Sequence, residues 1–297
     1  MTVSTRDVVV PPDVFDVARD TLGAFFEPIS RTDRETIAKD FLDTSKSLKR
    51  AEILERYTPL AGRKVLEIGS GFGTNVAAWI VNFSIDGYGV EPSSEGFDAG
   101  FEASRRLLAA NGIDPARITA AVGEDLPFPD RSFDIVYSAN VLEHTSDPAR
   151  VLEEAIRVLR PGGVLHMEIP NHLSYFEGHY MLLQPPLFAR GILPLWVSLL
   201  GRDPAFSKTL QTQINPIWCR RALRNIGAIY PIQVVSLGED LFLERLSRPF
   251  KFEAEVVSGR LAPVIRALQL VNRWNWIGKL IVAARGYYPM YVTVRRR

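Results

Sequence analysis

The chain has 297 residues, of which 46% are hydrophobic and 23% charged, enough apolar mass for one large globular domain with elaborations or one domain plus a small cap. Its net charge of +1 supplies no general attraction for nucleic acid, and its one cysteine, Cys219, excludes an internal disulfide and a cysteine-based zinc cluster. The first residues lack the basic start and apolar core of a secretory signal, so a cytoplasmic setting is expected.

Residues 1–40 hold short helical patterns, with Val14, Val17, Ala18 and Leu22 spaced for one apolar face, and are expected to form a helical lid or substrate-side extension. Residues 41–57 read as a longer helix whose Lys46, Lys49, Arg50 and Arg56 are taken as solvated charge, with Pro59 and Gly62 closing it. Then comes Val65-Leu66-Glu67-Ile68-Gly69-Ser70-Gly71-Phe72-Gly73, a bulky apolar run without helical spacing that breaks into closely spaced glycines. It reads as a parallel strand buried on both faces feeding a tight ligand-binding turn. Gly69 and Gly71 permit backbone angles and a close approach that a Cβ forbids, and Gly73 is expected to let the following helix pack near the strand. The spacing is G-x-G-x-G, with Thr74 where a dinucleotide fingerprint has its last glycine, which disfavours a nicotinamide carrier. Residues 87–91 form a second strand ending in Glu91, about where a carboxylate accepts hydrogen bonds from ribose.

Helical stretches at 75–81, 94–111 and 147–159 alternate with strands at 118–122, 134–138 and 164–169, the rhythm of a doubly wound parallel sheet. Asn111-Gly112 and Pro161-Gly162-Gly163 mark helix ends, where glycine takes left-handed angles. Residues 170–216 leave that rhythm, with Tyr175, Phe176, Tyr180, Phe188, Trp196 and Phe206 set among prolines. This insertion follows the carboxyl end of the fifth strand, so it either roofs a substrate pocket or fills core. Within it, 181–200 comes nearest to a membrane span, but Pro185, Pro186, Arg190 and Pro194 interrupt it. A helix at 217–226 and strands at 232–237 and 287–294 complete the pattern. Apolar helical faces at 261–272 and 276–284, flanked by Arg266, Arg273, Lys279, Arg285, Trp274 and Trp276, suit either their own core or a membrane surface.

Taken together, these segments resemble the class I S-adenosylmethionine-dependent methyltransferases, in particular methyltransferase-11-like members from bacterial polysaccharide clusters. Glu67-Ile68-Gly69-Ser70-Gly71-Phe72-Gly73 looks like the first motif of that family and Glu91 like its ribose acid. Gly123 to Asp130, Ser132 to Tyr137 and Val158 to Gly163 follow in the family's order, so the resemblance spans roughly Leu42 to Asn171. It implies an α/β, doubly wound, mostly parallel seven-stranded sheet. A helical extension at 1–40 would precede a methyltransferase domain at 41–297, with insertions at about 170–216 and 239–286. The implied cofactor is S-adenosyl-L-methionine, bound by Glu67, Gly69, Ser70, Gly71, Gly73, Glu91 and Pro92, with adenine beside Gly123, Glu124, Asp125 and Leu126. Asn140 and Leu142, at the fourth-strand exit, would lie near the methionine end. Val122 stands where many members carry an aspartate, so the adenine amino contact would pass to Glu124 or Asp125.

Methyl transfer from a sulfonium needs nucleophile, methyl carbon and sulfur in line, so positioning dominates. A hydroxyl acceptor is helped by a base, and His144, just past the fourth strand, is the candidate. The four histidines, His144, His166, His172 and His179, lie in one region. Glu143-His144 also resembles part of the E-x-x-E-H pattern of some metal-dependent methyltransferases, including ubiquinone-biosynthesis O-methyltransferases. Asn140 replaces the first glutamate and His166 falls in a strand, so no metal is expected. The expected acceptor is a hydroxyl oxygen of a small molecule, sugar or lipid-linked glycan, without nucleic acid and with peripheral membrane contact left open. A non-catalytic S-adenosylmethionine-binding scaffold or sensor is the alternative.

Overall fold

The computed structural model describes residues 6–27, 29, 32–93, 98–180, 182–184, 192–247 and 274–297. Three helices come first, α1 (Pro12–Phe26), α2 (Arg34–Phe41) and α3 (Thr44–Glu55). The helix expected at 41–57 is α3, which starts three residues later, at Thr44. Asp43 turns its side chain back to accept from Ser45 N–H at 2.9 Å and caps α3, because an aspartate at that position satisfies a helix-start amide better than it continues a helix.

The chain then alternates β1 (Lys64–Ile68), α4 (Thr74–Phe83), β2 (Asp86–Glu91), α5 (Asp98–Ala110), β3 (Ile118–Ala120), β4 (Phe133–Ala139), α6 (Pro148–Val158) and β5 (Leu159–Ile169). A short hairpin, β6 (Phe176–Glu177) and β7 (Leu182–Leu183), is followed by α7 (Leu193–Leu199), α8 (Pro216–Gly227), β8 (Ile232–Ser236), α9 (Glu239–Ser247), α10 (Trp274–Ala283) and β9 (Met290–Arg296). The main sheet has the order β3-β2-β1-β4-β5-β9-β8, parallel from β3 to β5, with β9 antiparallel to both of its neighbours. That is the mostly parallel seven-stranded sheet the sequence implied.

Alternate residues of the central strands feed two cores. Val65, Ile135 and Tyr137 join Val14, Ala18, Leu54, Trp79 and Leu107 on one side, whereas Leu66, Ile68 and Val136 join Leu152, Ile156, Leu223 and Val294 on the other. Burial on both faces is why β1 reads as a continuous apolar run. Trp79 is nearly inaccessible, lies edge-on to Tyr137 at 4.9 Å and donates its indole N–H to Ser47 O at 2.7 Å, which fastens α3 to α4. The first helix is part of this core, with Arg106 of α5 paired to Asp13 at 2.9 Å. Its far end reaches the insertion, where Phe25 meets Phe206 edge-on at 5.0 Å.

Pro161-Gly162-Gly163 does not cap a helix. The strand β5 begins at Leu159, and the pairing with β4 jumps from Phe133↔Leu159 to Ile135↔Val164, so these residues form an irregularity inside the strand. Glycine fits because a Cβ on Gly163 would stand 2.9 Å from the carbonyl oxygens of both Arg160 and Asp134. The α6 start is set by Asp147, whose carboxylate accepts from Ala149 and Arg150 N–H, each at 3.1 Å. Asp147→Ala is expected to lower unfolding stability by about 1 kcal/mol, read as a lower midpoint in urea with an unchanged slope.

Among the described residues, no helix is long and apolar enough to cross a membrane. On α10, Trp276 and Leu280 are exposed rather than packed into a core. The expected helix at 261–272 with Arg266, Arg273, residues 94–97, and Pro185, Pro186, Phe188 and Arg190 lie outside the described residues.

Candidate functional site

At the carboxyl end of β1 the chain turns through Gly69 (φ +69°), Gly71 (φ +53°) and Gly73 (φ +76°). Gly69 and Ser70 both donate their N–H to Val90 O, at 2.9 and 3.0 Å, so the turn is pinned to β2. The Ser70 side chain is buried against Gly89, which leaves its backbone as the part near the turn. A Cβ on Gly69 would stand 2.3 Å from Val141 Cγ2, whereas one on Gly71 would meet nothing within 4 Å. Gly69 therefore serves a close approach within the protein, and Gly71 borders open space. Gly73 corrects the expectation for it, because its close neighbours are Leu108 and Ser104 of α5, at 3.1 and 3.2 Å from a built Cβ. It lets two helices meet rather than a helix and the strand.

Two buried carboxylates flank this turn. Glu91, closing β2, accepts Gly71 N–H at 2.7 Å, and burial pushes its pKa up to about 7 against the pull of that bond. Glu67, on β1, accepts from Asn75 Nδ2 at 2.6 Å through one oxygen, while its other oxygen is buried without a hydrogen-bond partner. Burial raises Glu67 to about 8, with Asn75 and Arg50 opposing the rise. An orphaned acid and open backbone at Gly71 fit a ligand that brings an ammonium group and ribose hydroxyls, as S-adenosylmethionine does. Pro92 follows Glu91 and is half-buried.

In the loop after β3 the two acids are placed differently. Glu124 accepts from Ser146 N–H, Ser146 Oγ and Asp147 N–H at 2.8, 2.9 and 3.3 Å, so its carboxylate is committed to the loop ahead of α6. Gly123 is packed against Ile68 and Val151, Leu126 is sunk in the core, and Asp125 is exposed. At the β4 exit, Asn140 has φ +54° and donates its N–H to Glu168 O at 2.8 Å. Its neighbour Leu142 is buried in the core.

His144 lies beyond this exit with a third of its side chain exposed. Its Nε2 is 3.4 Å from His179 Nε2 and 3.9 Å from Glu143 Oε1. His179, from the β6–β7 turn, is also 3.7 Å from Glu143 Oε1, and its Nδ1 is 2.8 Å from Glu177 Oε1. Burial and the neighbouring His179 hold His144 neutral, down to about 4. Burial raises Glu143 to about 7, against the attraction of His179. Burial opposes charge on His179 as well, but the Glu177 carboxylate outweighs it and holds this imidazole above its ordinary value. Phe206 covers both imidazoles, with ring centres 6.0 and 5.4 Å away.

The other two histidines part from this group. His166 is buried in β5, stacked between Tyr137 and Tyr291, with Nδ1 2.9 Å from Thr293 Oγ1. His172 is buried with Nε2 lacking a hydrogen-bond partner. The sequence reading missed Glu177 and took Arg50 as solvated charge, although Arg50 is half-buried with Nε 3.5 Å from Glu168 Oε2. The charge-bearing helix α3 offered no sign that one of its residues turns inward.

Residues 66–167 match a family model described as a methyltransferase domain. An uncharacterised methyltransferase of Mycobacterium sp. (strain JLS) is 39% identical over 124 residues, 42% of this chain and 45% of that protein, so the match spans less than half of that relative. A longer match, 26% identical over 231 residues, covers 72% of this chain and 65% of the chloroplastic 2-methyl-6-phytyl-1,4-hydroquinone methyltransferase 1 of Oryza sativa subsp. japonica. In fold, the chain is similar to a geranyl diphosphate methyltransferase solved with its methyl donor, with a TM-score of 0.50, 17% identity and 89% of each chain covered. The family model thus matches the stretch that carries the glycine turn and both of its flanking acids, residues 66–167.

Proposed function

We propose that this protein transfers the methyl group of S-adenosylmethionine to a hydroxyl oxygen of a small-molecule, sugar or lipid-linked acceptor. The observation that carries the donor half is the pair of buried acids astride the glycine turn, Glu67 with an oxygen lacking a partner and Glu91 on Gly71 N–H. Glu67 would face the methionine ammonium and Glu91 the ribose. Asp125, exposed while Glu124 is committed elsewhere, is the acid left for the adenine amino group. Gly123, Leu126, Asn140 and Leu142 would line the same crevice mainly through backbone.

The acceptor half rests on the polar His144, His179 and Glu143 group set beneath Phe206, which suits a hydroxyl carried on a body with apolar surface. Exposed Trp276 and Leu280 on α10 support peripheral contact with lipid for a lipid-linked acceptor. In the reaction the acceptor oxygen bonds to the methyl carbon as the carbon–sulfur bond breaks. The bonding pair stays on sulfur, whose positive charge disappears, and the hydroxyl proton passes to neutral His144 or to water.

Incubation with label-bearing methyl donor and a lysate or glycolipid extract is expected to yield a labelled, mass-resolved product. Donor binding without any labelled product would favour a scaffold or sensor. His144→Ala is expected to lower kcat by about 10²–10⁴-fold while S-adenosylhomocysteine affinity stays within twofold, and equal losses in both would remove His144 from the acceptor side.

A further inference from the structure

The Glu143, His144 and His179 group poses a problem that methyl transfer alone does not answer. Glu143 is fully buried and neither carboxylate oxygen has a hydrogen-bond partner, a costly arrangement for an acid surrounded by protein. Its Oε1 faces two imidazole nitrogens, and those two nitrogens face each other, with separations of 3.9, 3.7 and 3.4 Å. A tetrahedral ion with ligands at about 2.1 Å requires donor separations of about 3.4 Å, so the triangle is open by only a few tenths of an ångström.

The groups behind this triangle point the same way. Glu177 is buried, and its carboxylate bonds His179 Nδ1 at 2.8 Å through one oxygen and Tyr180 N–H at 2.7 Å through the other. A carboxylate at Nδ1 holds the proton there and turns the Nε2 lone pair toward His144 and Glu143, which is the arrangement that prepares an imidazole for a metal. Glu143 is itself held by its backbone, since its carbonyl accepts Gln211 N–H at 2.9 Å.

We propose that Glu143, His144 and His179 bind one divalent first-row transition-metal ion, with Glu177 as the carboxylate that orients His179. Two imidazoles and one carboxylate favour Zn²⁺, Co²⁺, Fe²⁺ or Mn²⁺ over Mg²⁺ or Ca²⁺, which prefer oxygen ligands. Three protein ligands leave a position for an exogenous oxygen, and an ion there lowers the pKa of a bound hydroxyl, whose proton then leaves to water. This deepens the acceptor half of the proposed reaction and changes His144 from base to ligand. It also departs from the expectation of no metal, because the third ligand is His179, which the chain order sets 35 residues beyond His144.

The test uses the untagged full chain stripped with a chelator and titrated with Co²⁺ in the absence of acceptor. Saturable binding of one equivalent is expected, with visible d–d absorption that Zn²⁺ displaces and millimolar Mg²⁺ does not. His179→Ala and Glu143→Gln are expected to weaken Co²⁺ binding at least about 100-fold, and Glu177→Gln about 10–100-fold. S-adenosylhomocysteine affinity, measured on each variant, reports folding and donor binding separately from the metal. X-ray absorption on the wild-type Zn²⁺ form, which needs no variant, is expected to show two imidazole ligands. Absence of saturable Co²⁺ binding, wild-type affinity in His179→Ala, or fewer than two imidazoles on Zn²⁺ would overturn the proposal. Loss of donor binding with the metal retained would overturn the methyl-transfer reading instead.

Discussion

Replacing Gly69 by alanine is expected to weaken S-adenosylhomocysteine binding by about 100-fold or more and to lower the melting temperature of the ligand-free protein. Two costs combine. The residue has φ +69°, where a Cβ costs about 1–2 kcal/mol. That Cβ would also stand 2.3 and 2.9 Å from the two methyl carbons of Val141. Relief requires either the turn to lift away from β2, where it is held by two hydrogen bonds to Val90 O, or the β4 exit carrying Val141 to retreat. Both movements displace the backbone proposed to hold the donor. Gly112→Ala is the control, with the same φ of +69° but nothing within 4 Å of the new carbon. It should cost stability alone, so calorimetry with S-adenosylhomocysteine on the two variants separates strain from damage to the site. Near-native affinity in Gly69→Ala would show that the turn does not shape the donor pocket.

Glu91→Gln is expected to change donor binding and stability in opposite directions. Burial raises the Glu91 carboxyl to about 7 in the ligand-free protein, above its unfolded value of about 4.5. A group raised on folding contributes stability that is complete below the unfolded pKa and lost as pH rises through the folded one. The ligand-free wild type should therefore lose stability between about pH 5 and pH 8, and Glu91→Gln should melt higher than wild type at pH 8. Ribose hydroxyls favour the carboxylate to which they donate, so wild-type S-adenosylhomocysteine affinity should rise with pH through about 7. The glutamine, which cannot ionise, should bind about 10–100-fold more weakly at pH 8, the loss of a charge-assisted hydrogen-bond pair. Its affinity should also lack the Glu91 part of the pH profile. Glu67, raised to about 8, still contributes a dependence at higher pH. Parallel pH profiles in wild type and variant would remove Glu91 from the ribose role.

Much of this molecule was legible before its structure. The apolar run at Val65, Leu66 and Ile68, the glycines after it and Glu91 at the end of the next strand are local patterns, set by burial on both faces and by backbone angles available within a few residues. Where the reading slipped, the deciding contacts came from elsewhere in the chain. Gly73 meets α5 rather than β1, and Pro161-Gly162-Gly163 is absorbed into β5 because β4 lies alongside it.

The sequence by itself determined the alternation of strands and helices through β5, the two-sided burial of the central strands and the position of the glycine turn, since periodicity and glycine spacing are properties of neighbouring residues. Only tertiary structure decided which polar groups meet. His144 and His166 are close in sequence but face different surroundings, one beside Glu143 and His179 and the other between Tyr137 and Tyr291. The physical reason is that a strand fixes which face each side chain takes, whereas a hairpin inserted after β5 brings His179 and its supporting Glu177 back over the β4 exit. No spacing rule records that return of the chain.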